Sequence, residues 1–353
     1  MNESDRVLFI RFSAIGDILL ITPLLRLFHH HYPRVQIDVL IKKNFTSLLQ
    51  YHPLIRNIIA IPQSPSFAEI KSVAKEIRSQ EYSRIFDLQK HWRSYLITLL
   101  SGAGRTSRYK KYAIRRFFLV HLRLNFYPKR PAPVPRRYFE AFRELPIDWK
   151  PQPLELYIPD ETKAKIESKW PFDKRELTIA IAPGAGRKTK RWPVDHFIEL
   201  ISLLQDQYGA KIILVGGDRD KHICQEIEGR VAKGLIEWCG QTSLLETAEI
   251  LKRCDLVITH DTGVMHMAAA AKQRLIAIFG PTVEEFGFFP FMVENRVIEH
   301  HNLSCRPCSY HGTDTCPKGH FRCMNEIEPI KVIEAASEFL DSHSKIRQAR
   351  LIH

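Results

Sequence analysis

Short apolar, β-branched runs alternate with longer segments of helical spacing along most of the chain. In the first half, Val7 to Phe12, Ile37 to Ile41, Ile58 to Ile61 and Ile85 to Leu88 read as strands. Ile18 to Tyr32, Asn44 to Tyr51 and Phe67 to Arg78 read as helical pieces between them. Repeated βα order predicts a parallel sheet. Eight prolines between Pro128 and Pro159 interrupt regular structure, so a domain boundary is expected at the end of that stretch. A second series then begins, with strands over 177–182, 211–215, 235–238, 256–259 and 275–279 and helices over 194–208, 220–231, 243–253 and 264–272. A closing helix is predicted over 331–341. The reading is α/β, with two doubly wound domains, 1–159 and 160–330, and a C-terminal helix and tail over 331–353. In such a pair a ligand is expected in the crevice beyond the carboxyl ends of the strands.

The most informative junction is Thr259-His260-Asp261-Thr262-Gly263-Val264-Met265-His266. Leu256-Val257-Ile258 before it is a strand of the kind buried on both faces, and Met265 to Ala271 after it is rich in helix formers. The first turn of a helix presents N–H groups without intrahelical acceptors at the positive end of the macrodipole, which suits a diphosphate, and Gly263 lets a ligand approach the main chain. An ordinary helix cap by Asp261 or Thr262 explains the same residues.

Two other strand-to-helix loops carry chemistry. Arg11-Phe12-Ser13-Ala14-Ile15-Gly16-Asp17-Ile18 lacks the GxGxxG of a dinucleotide site. Its Asp17 stands where a carboxylate can take a proton from an attacking hydroxyl, or where it simply answers the helix dipole. Ala182-Pro183-Gly184-Ala185-Gly186-Arg187-Lys188-Thr189-Lys190-Arg191-Trp192-Pro193 is glycine-rich and holds four cations. It has the composition of a phosphate cradle without P-loop spacing; Thr189 offers a hydroxyl and Lys190 a point charge. The alternative is a basic surface turn. Gly216-Gly217-Asp218-Arg219-Asp220 follows the next strand and offers acids to ribose or base donors.

Charge sharpens this picture. Residues 105–143 hold twelve Lys and Arg against one acid, Glu140; that +11 leaves only +2 of the chain's net +13 for all the rest. Interleaved Tyr109, Tyr112, Phe117, Phe118, Leu119 and Phe126 suit an anionic surface: membrane headgroups, a phosphorylated glycolipid or nucleic acid. A solvated basic face without a partner is the alternative. No run of about 18 uncharged apolar residues exists, and the N-terminus enters a strand directly, so neither a spanning helix nor a signal peptide is expected and the location is read as cytoplasmic. Cys224, Cys239 and Cys254 fall in or beside apolar segments and read as inert core thiols, disulfides being disfavoured in a reducing cytosol. Cys305, Cys308, Cys316 and Cys323 form a CxxC with two further cysteines, compatible with a structural zinc or with four reduced thiols packing a loop.

Taken together, Ser13-Ala14-Ile15-Gly16-Asp17, Pro183-Gly184-Ala185 with Lys190-Arg191-Trp192-Pro193, and Asp261-Thr262-Gly263 with His266 and Phe279-Gly280-Pro281-Thr282 resemble the ADP-heptose lipopolysaccharide heptosyltransferases, glycosyltransferase family 9. The middle loop is more similar to the second heptosyltransferase type than to the first. The resemblance spans nearly the whole chain. It implies a GT-B fold of two Rossmann-like domains facing a central cleft, an ADP-sugar donor held by the C-terminal domain, and inversion without a catalytic metal or cofactor. It further implies Asp17 as general base and Lys190 facing the donor diphosphate, with Asp261, Thr262, Gly263 and His266 along the donor and Thr189 and Asp220 as neighbours. The expected acceptor is a lipid-linked anionic glycan of the lipopolysaccharide inner core rather than nucleic acid, met by an enzyme peripheral to the inner membrane. The region 105–143 and the four-cysteine loop lie outside what the resemblance maps. A sugar-nucleotide epimerase or hydrolase on the same scaffold, and a non-catalytic binder of anionic surfaces, are the competing readings.

Overall fold

The computed structural model describes residues 5–351 apart from Lys174 and Ala232, with side chains given up to Asp341. The chain divides into two compact units, one of residues 1–113 and 132–159, the other of 114–131 and 160–353. The proline-rich region expected to lie wholly in the first domain is therefore shared, because 114–131 groups with the second.

The first unit carries β1 (Arg6–Ile10), β2 (Gln36–Lys42), β3 (Ile55–Ile61), β4 (Arg84–Asp87) and β5 (Thr106–Arg108), all parallel, in the order β3-β2-β1-β4-β5. The helix expected over 18–32 is two helices, Ile15–Leu19 and Thr22–His31. Pro23 explains the break: it lacks the N–H a continuous helix needs and suits the first turn of a new one. Ser66 caps the helix Phe67–Ser79 through a reciprocal pair with Glu69. Phe9, Phe28, Phe86 and Phe142 form the aromatic centre on one side of the sheet, with Phe86 lying 4.8 Å from both Phe9 and Phe142. Phe142 belongs to the returning segment after residue 132, and burying such a ring stabilises by about 1.5–3 kcal/mol, which ties that segment to this unit.

The second unit carries β6 (Thr178–Ile181), β7 (Lys211–Leu214), β8 (Leu235–Glu237), β9 (Leu256–His260), β10 (Leu275–Phe279) and β11 (Asn295–Glu299), again all parallel, in the order β11-β10-β9-β6-β7-β8. Every residue of β9 and β10 is buried, as an apolar run covered on both faces should be. The helix Val194–Tyr208 stops at Gly209, which adopts φ +62° and donates to the Gln205 carbonyl. The C-terminal helix Pro329–Leu351 joins this unit's core through Val332, Ile333, Ala336, Phe339 and Leu340.

Cys224 and Cys239 form a disulfide, which overturns their reading as separate core thiols. It joins the helix Lys221–Glu228 to Cys239, two residues beyond β8; only the fold brings that helix against the strand end. Cys254 remains a buried thiol, its ionisation opposed first by burial and then by Asp255.

Candidate functional site

In each sheet the chain fills one side of its first strand and then crosses to the other. The switch falls between β1 and β4 in the first unit and between β6 and β9 in the second. Loops leaving the carboxyl ends of such neighbouring strands diverge and open a crevice, the preferred ligand position in parallel α/β sheets. Asp17 follows β1, and Thr189, Lys190, Asp261, Thr262, Gly263 and His266 follow β6 and β9, at these switch points, while Asp220 follows β7.

In the first unit, Asp17 occupies the first turn of Ile15–Leu19. Its Oδ1 lies 2.6 Å from an Arg11 guanidinium nitrogen and accepts from the Tyr138 hydroxyl at 3.0 Å, while Oδ2 accepts from the Ala14 N–H at 3.4 Å. Arg11 is itself fixed by donating to the Leu88 carbonyl at 2.7 Å and the Ser13 carbonyl at 3.1 Å. Burial would raise the Asp17 carboxyl, but Arg11, Tyr138 and the Ala14 N–H together hold it below its ordinary value. The side chain is thus an ionised carboxylate, 21% exposed and prevented from turning. Nothing in the sequence points to Tyr138, which reaches Asp17 from 121 residues downstream with no local signal.

In the second unit, Lys190 Nζ lies 2.6 Å from Asp261 Oδ2, and the Thr282 hydroxyl donates to the same oxygen at 2.8 Å. Three loops meet here, those following β6, β9 and β10. Arg306 holds the last of them, donating to the Thr282 carbonyl at 2.8 Å while paired with Glu299 at 2.6 Å. Thr262 is the N-cap residue of the helix Gly263–Ala270, and Gly263 opens it. The N–H groups of that first turn therefore begin beside the Lys190–Asp261 pair. Thr282 was quoted in the sequence without a role; its place at the end of a strand adjoining β9 is the signal that points to it.

The remaining predicted residues have contacts of their own. The Thr189 hydroxyl donates to the Thr313 carbonyl at 2.7 Å and accepts from the Thr313 N–H at 2.8 Å, so it binds one loop to another. Asp220 accepts from the Gly217 N–H at 3.0 Å and lies under Gly184, where an added Cβ would stand 2.1 Å from its Cγ; only glycine fits there. His266 is buried one turn into its helix, its ring 6.4 Å from that of Phe288. His260, which the sequence did not single out, accepts from the Trp192 N–H through Nε2 at 2.9 Å and meets the Gly184 carbonyl through Nδ1 at 3.2 Å. Burial pushes its pKa down to about 4, so a neutral imidazole pins the glycine-rich loop to the end of β9.

Among the described residues, the four loop cysteines do not bring three possible metal donors within 4.8 Å of one another; Cys305 Sγ lies 3.7 Å from His320 Nε2. Part of the basic region is spent internally: Arg108 pairs with the buried Asp87 at 2.8 Å, and the buried Arg137 donates to the Ala132 carbonyl at 2.7 Å. In the stretch 114–131, Arg123 likewise donates to the Pro307 carbonyl and Arg116 lies over the Tyr310 ring at 3.9 Å, but the surface it leaves is apolar. The stretch has no acidic residue and leaves Ile114, Phe117, Leu122, Leu124 and Phe126 exposed, Ile114 by 74%.

The sequence profile of glycosyltransferase family 9 (heptosyltransferase) matches residues 70–317. Over 352 residues the chain is 26% identical to lipopolysaccharide heptosyltransferase 2 of Escherichia coli (strain K12), covering 95% of this chain and 98% of that protein. A solved glycosyl transferase family 9 structure from Veillonella parvula DSM 2008 superposes with a TM-score of 0.81 at 21% identity, covering 97% of this chain and 99% of that one. The solved E. coli ADP-heptose lps heptosyltransferase II gives 0.75 at 24% identity over 96% and 99%. The two parallel α/β sheets follow the GT-B architecture of these structures.

Proposed function

The chain belongs to glycosyltransferase family 9, and on that premise we propose that it transfers heptose from an ADP-heptose donor to a lipopolysaccharide inner-core acceptor with inversion at the anomeric carbon. The observation that carries this reading is Asp17: an ionised, immobilised and partly exposed carboxylate at the switch point of its sheet. The donor reading draws on the similarity to lipopolysaccharide heptosyltransferase 2 and to ADP-heptose lps heptosyltransferase II.

The reaction is a single displacement. The acceptor hydroxyl oxygen forms a bond to the anomeric carbon while the bond from that carbon to the diphosphate oxygen breaks; the electron pair leaves with ADP, and the hydroxyl proton passes to Asp17. Negative charge grows on the departing diphosphate. Lys190, set at the end of β9 by Asp261, and the N–H groups opening Gly263–Ala270 meet that charge in place of a metal. Such prearranged donors are each worth about 3–4 kcal/mol in the transition state. The buried Gly184 loop, held by His260 and Asp220, keeps Lys190 in position.

We place the enzyme at an anionic membrane surface. No helix among the described residues is long and apolar enough to cross a membrane. The acid-free stretch 114–131 instead combines exposed apolar side chains with the cations Lys129 and Arg130, the mixture that binds anionic headgroups and inserts shallowly.

The test is a donor screen with extracted lipid acceptor, following ADP release and product mass. Stoichiometric ADP and a product heavier by one heptosyl residue are expected. ADP release without a heavier acceptor would identify a hydrolase instead.

A further inference from the structure

The carboxyl ends of β1, β2 and β4 enclose a cavity of about 130 Å³ in the first unit, well above the about 10–15 Å³ needed by one water. Its polar lining is Ser13, Lys42, Gln89, His91 and Arg93; the other three lining residues are apolar and none is acidic. The walls are fixed by the backbone. Lys42, the last residue of β2, donates its N–H to the Phe12 carbonyl at 3.1 Å, and the Phe12 N–H donates to Gln89 Oε1 at 3.0 Å. With its oxygen engaged, the Gln89 amide has its NH₂ end left to offer.

Lys42 and Arg93 therefore face one space without a carboxylate among its lining residues. The Lys42 ammonium is disfavoured first by burial and then by the Arg93 charge; His91 is held neutral by burial, then by Arg93, Lys111 and Lys42. Arg93 Nε is buried with no hydrogen-bond partner. Like charges gathered around a cavity, with a buried N–H left unmatched, are costly for folding alone and are relieved by an anion. None of these groups has a part in the chemistry assigned to Asp17.

We propose that this cavity is a phosphate subsite that holds a phosphate monoester on the acceptor saccharide and so positions its hydroxyl for Asp17, a role that rests on the transferase reading above. Arg93 supplies a forked donor, Lys42 a point charge, and Ser13 and Gln89 neutral donors. Ser13 follows β1, Lys42 ends β2, and Gln89 and Arg93 follow β4, so donors reach a tetrahedral group from three directions, whereas a planar carboxylate would use only one side of them. Ser13 lies in the same loop as Asp17 and its carbonyl accepts from Arg11, which links the subsite to the base through a single rigid turn.

The experiment compares wild type with Lys42→Gln/Arg93→Gln on a phosphorylated acceptor and on the same acceptor after phosphatase treatment. With the phosphorylated acceptor, the variant's kcat/KM should fall about tenfold or more, with KM raised and kcat lowered, while the two proteins should have equal kcat/KM for the dephosphorylated one. Inorganic phosphate should compete with the phosphorylated acceptor in wild type and not in the variant. Unchanged ADP affinity, and recovery of KM in Lys42→Arg/Arg93→Lys, show that the folded site survives. An equal loss on both acceptors, or no change on the phosphorylated one, overturns the subsite. Should wild type transfer no heptose at all, the transferase reading fails on its own. The subsite is then judged by phosphate binding to wild type against Lys42→Gln/Arg93→Gln, with equal or absent binding overturning it.

Discussion

Lys190 Nζ and Asp261 Oδ2 stand 2.6 Å apart across 71 residues of sequence, each at the mouth of its own strand-to-helix loop and both largely withdrawn from water. The pair is a fixed cation at a crevice rather than a surface ion pair. Removing Lys190 therefore has two effects, loss of the cation that meets the ligand and creation of an unmatched buried carboxylate, whereas removing Asp261 has only the second kind, an unpaired buried ammonium.

The Lys190→Ala variant should lower kcat about 100-fold or more and weaken donor binding. Lys190→Ala/Asp261→Ala should recover thermal stability without recovering kcat, which separates the two effects. Steady-state kinetics and thermal unfolding measure both, and a kcat near wild type in Lys190→Ala would remove this residue from the mechanism.

The Asp17→Asn variant should keep ADP affinity while transfer falls by about 10²–10⁴-fold. In wild type the folded carboxyl lies below its ordinary value, so the base is ionised throughout the neutral range and its acid limb in kcat/KM lies below that value. Tyr138→Phe removes one donor to the carboxylate and should move the limb to higher pH. A pH–rate profile with no such movement would show that Tyr138 does not govern the base.

His260 makes stability depend on pH. Its folded pKa of about 4 lies below the unfolded value of 6.5, so the unfolded chain binds more protons between those limits. Its contribution is complete above pH 6.5 and is lost as pH falls toward 4, amounting to about 3 kcal/mol over that window. Urea unfolding at several pH values should show this slope, and His260→Asn should flatten it while lowering stability at pH 7.

Phe117→Asp/Phe126→Asp should reduce association with vesicles containing anionic phospholipid by about tenfold or more, since each ring contributes about 1.5–3 kcal/mol when buried. Salt should weaken the wild-type association, and ADP affinity should be the same in both proteins. Equal sedimentation of variant and wild type with the vesicles would show that this stretch does not face the membrane.

The strands that carry both sites were legible because each is a short, doubly buried apolar run; Leu256-Val257-Ile258 is an example. The edge strands Thr106–Arg108 and Asn295–Glu299 were not, since they are polar and one covers three residues. The helix Trp92–Leu100 also escaped, although its first turn lines the cavity beside Ser13. Within the sites, residue type did not reveal orientation. Thr189 and Asp220 have the chemistry of ligand contacts, and nothing in the sequence showed that one also holds Thr313 and the other also accepts from Gly217. Long-range partners left no trace: Tyr138 reaches Asp17, and Cys224 reaches Cys239, through tertiary packing alone.

The grip of Arg11 on Asp17 also sets the timing of the proposed chemistry. A carboxylate so well neutralised has little appetite for the proton of an unreacted alcohol. It can take that proton only as the oxygen becomes acidic, once its bond to the sugar is largely made. The sugar's departure from ADP then leads the reaction and deprotonation trails behind it.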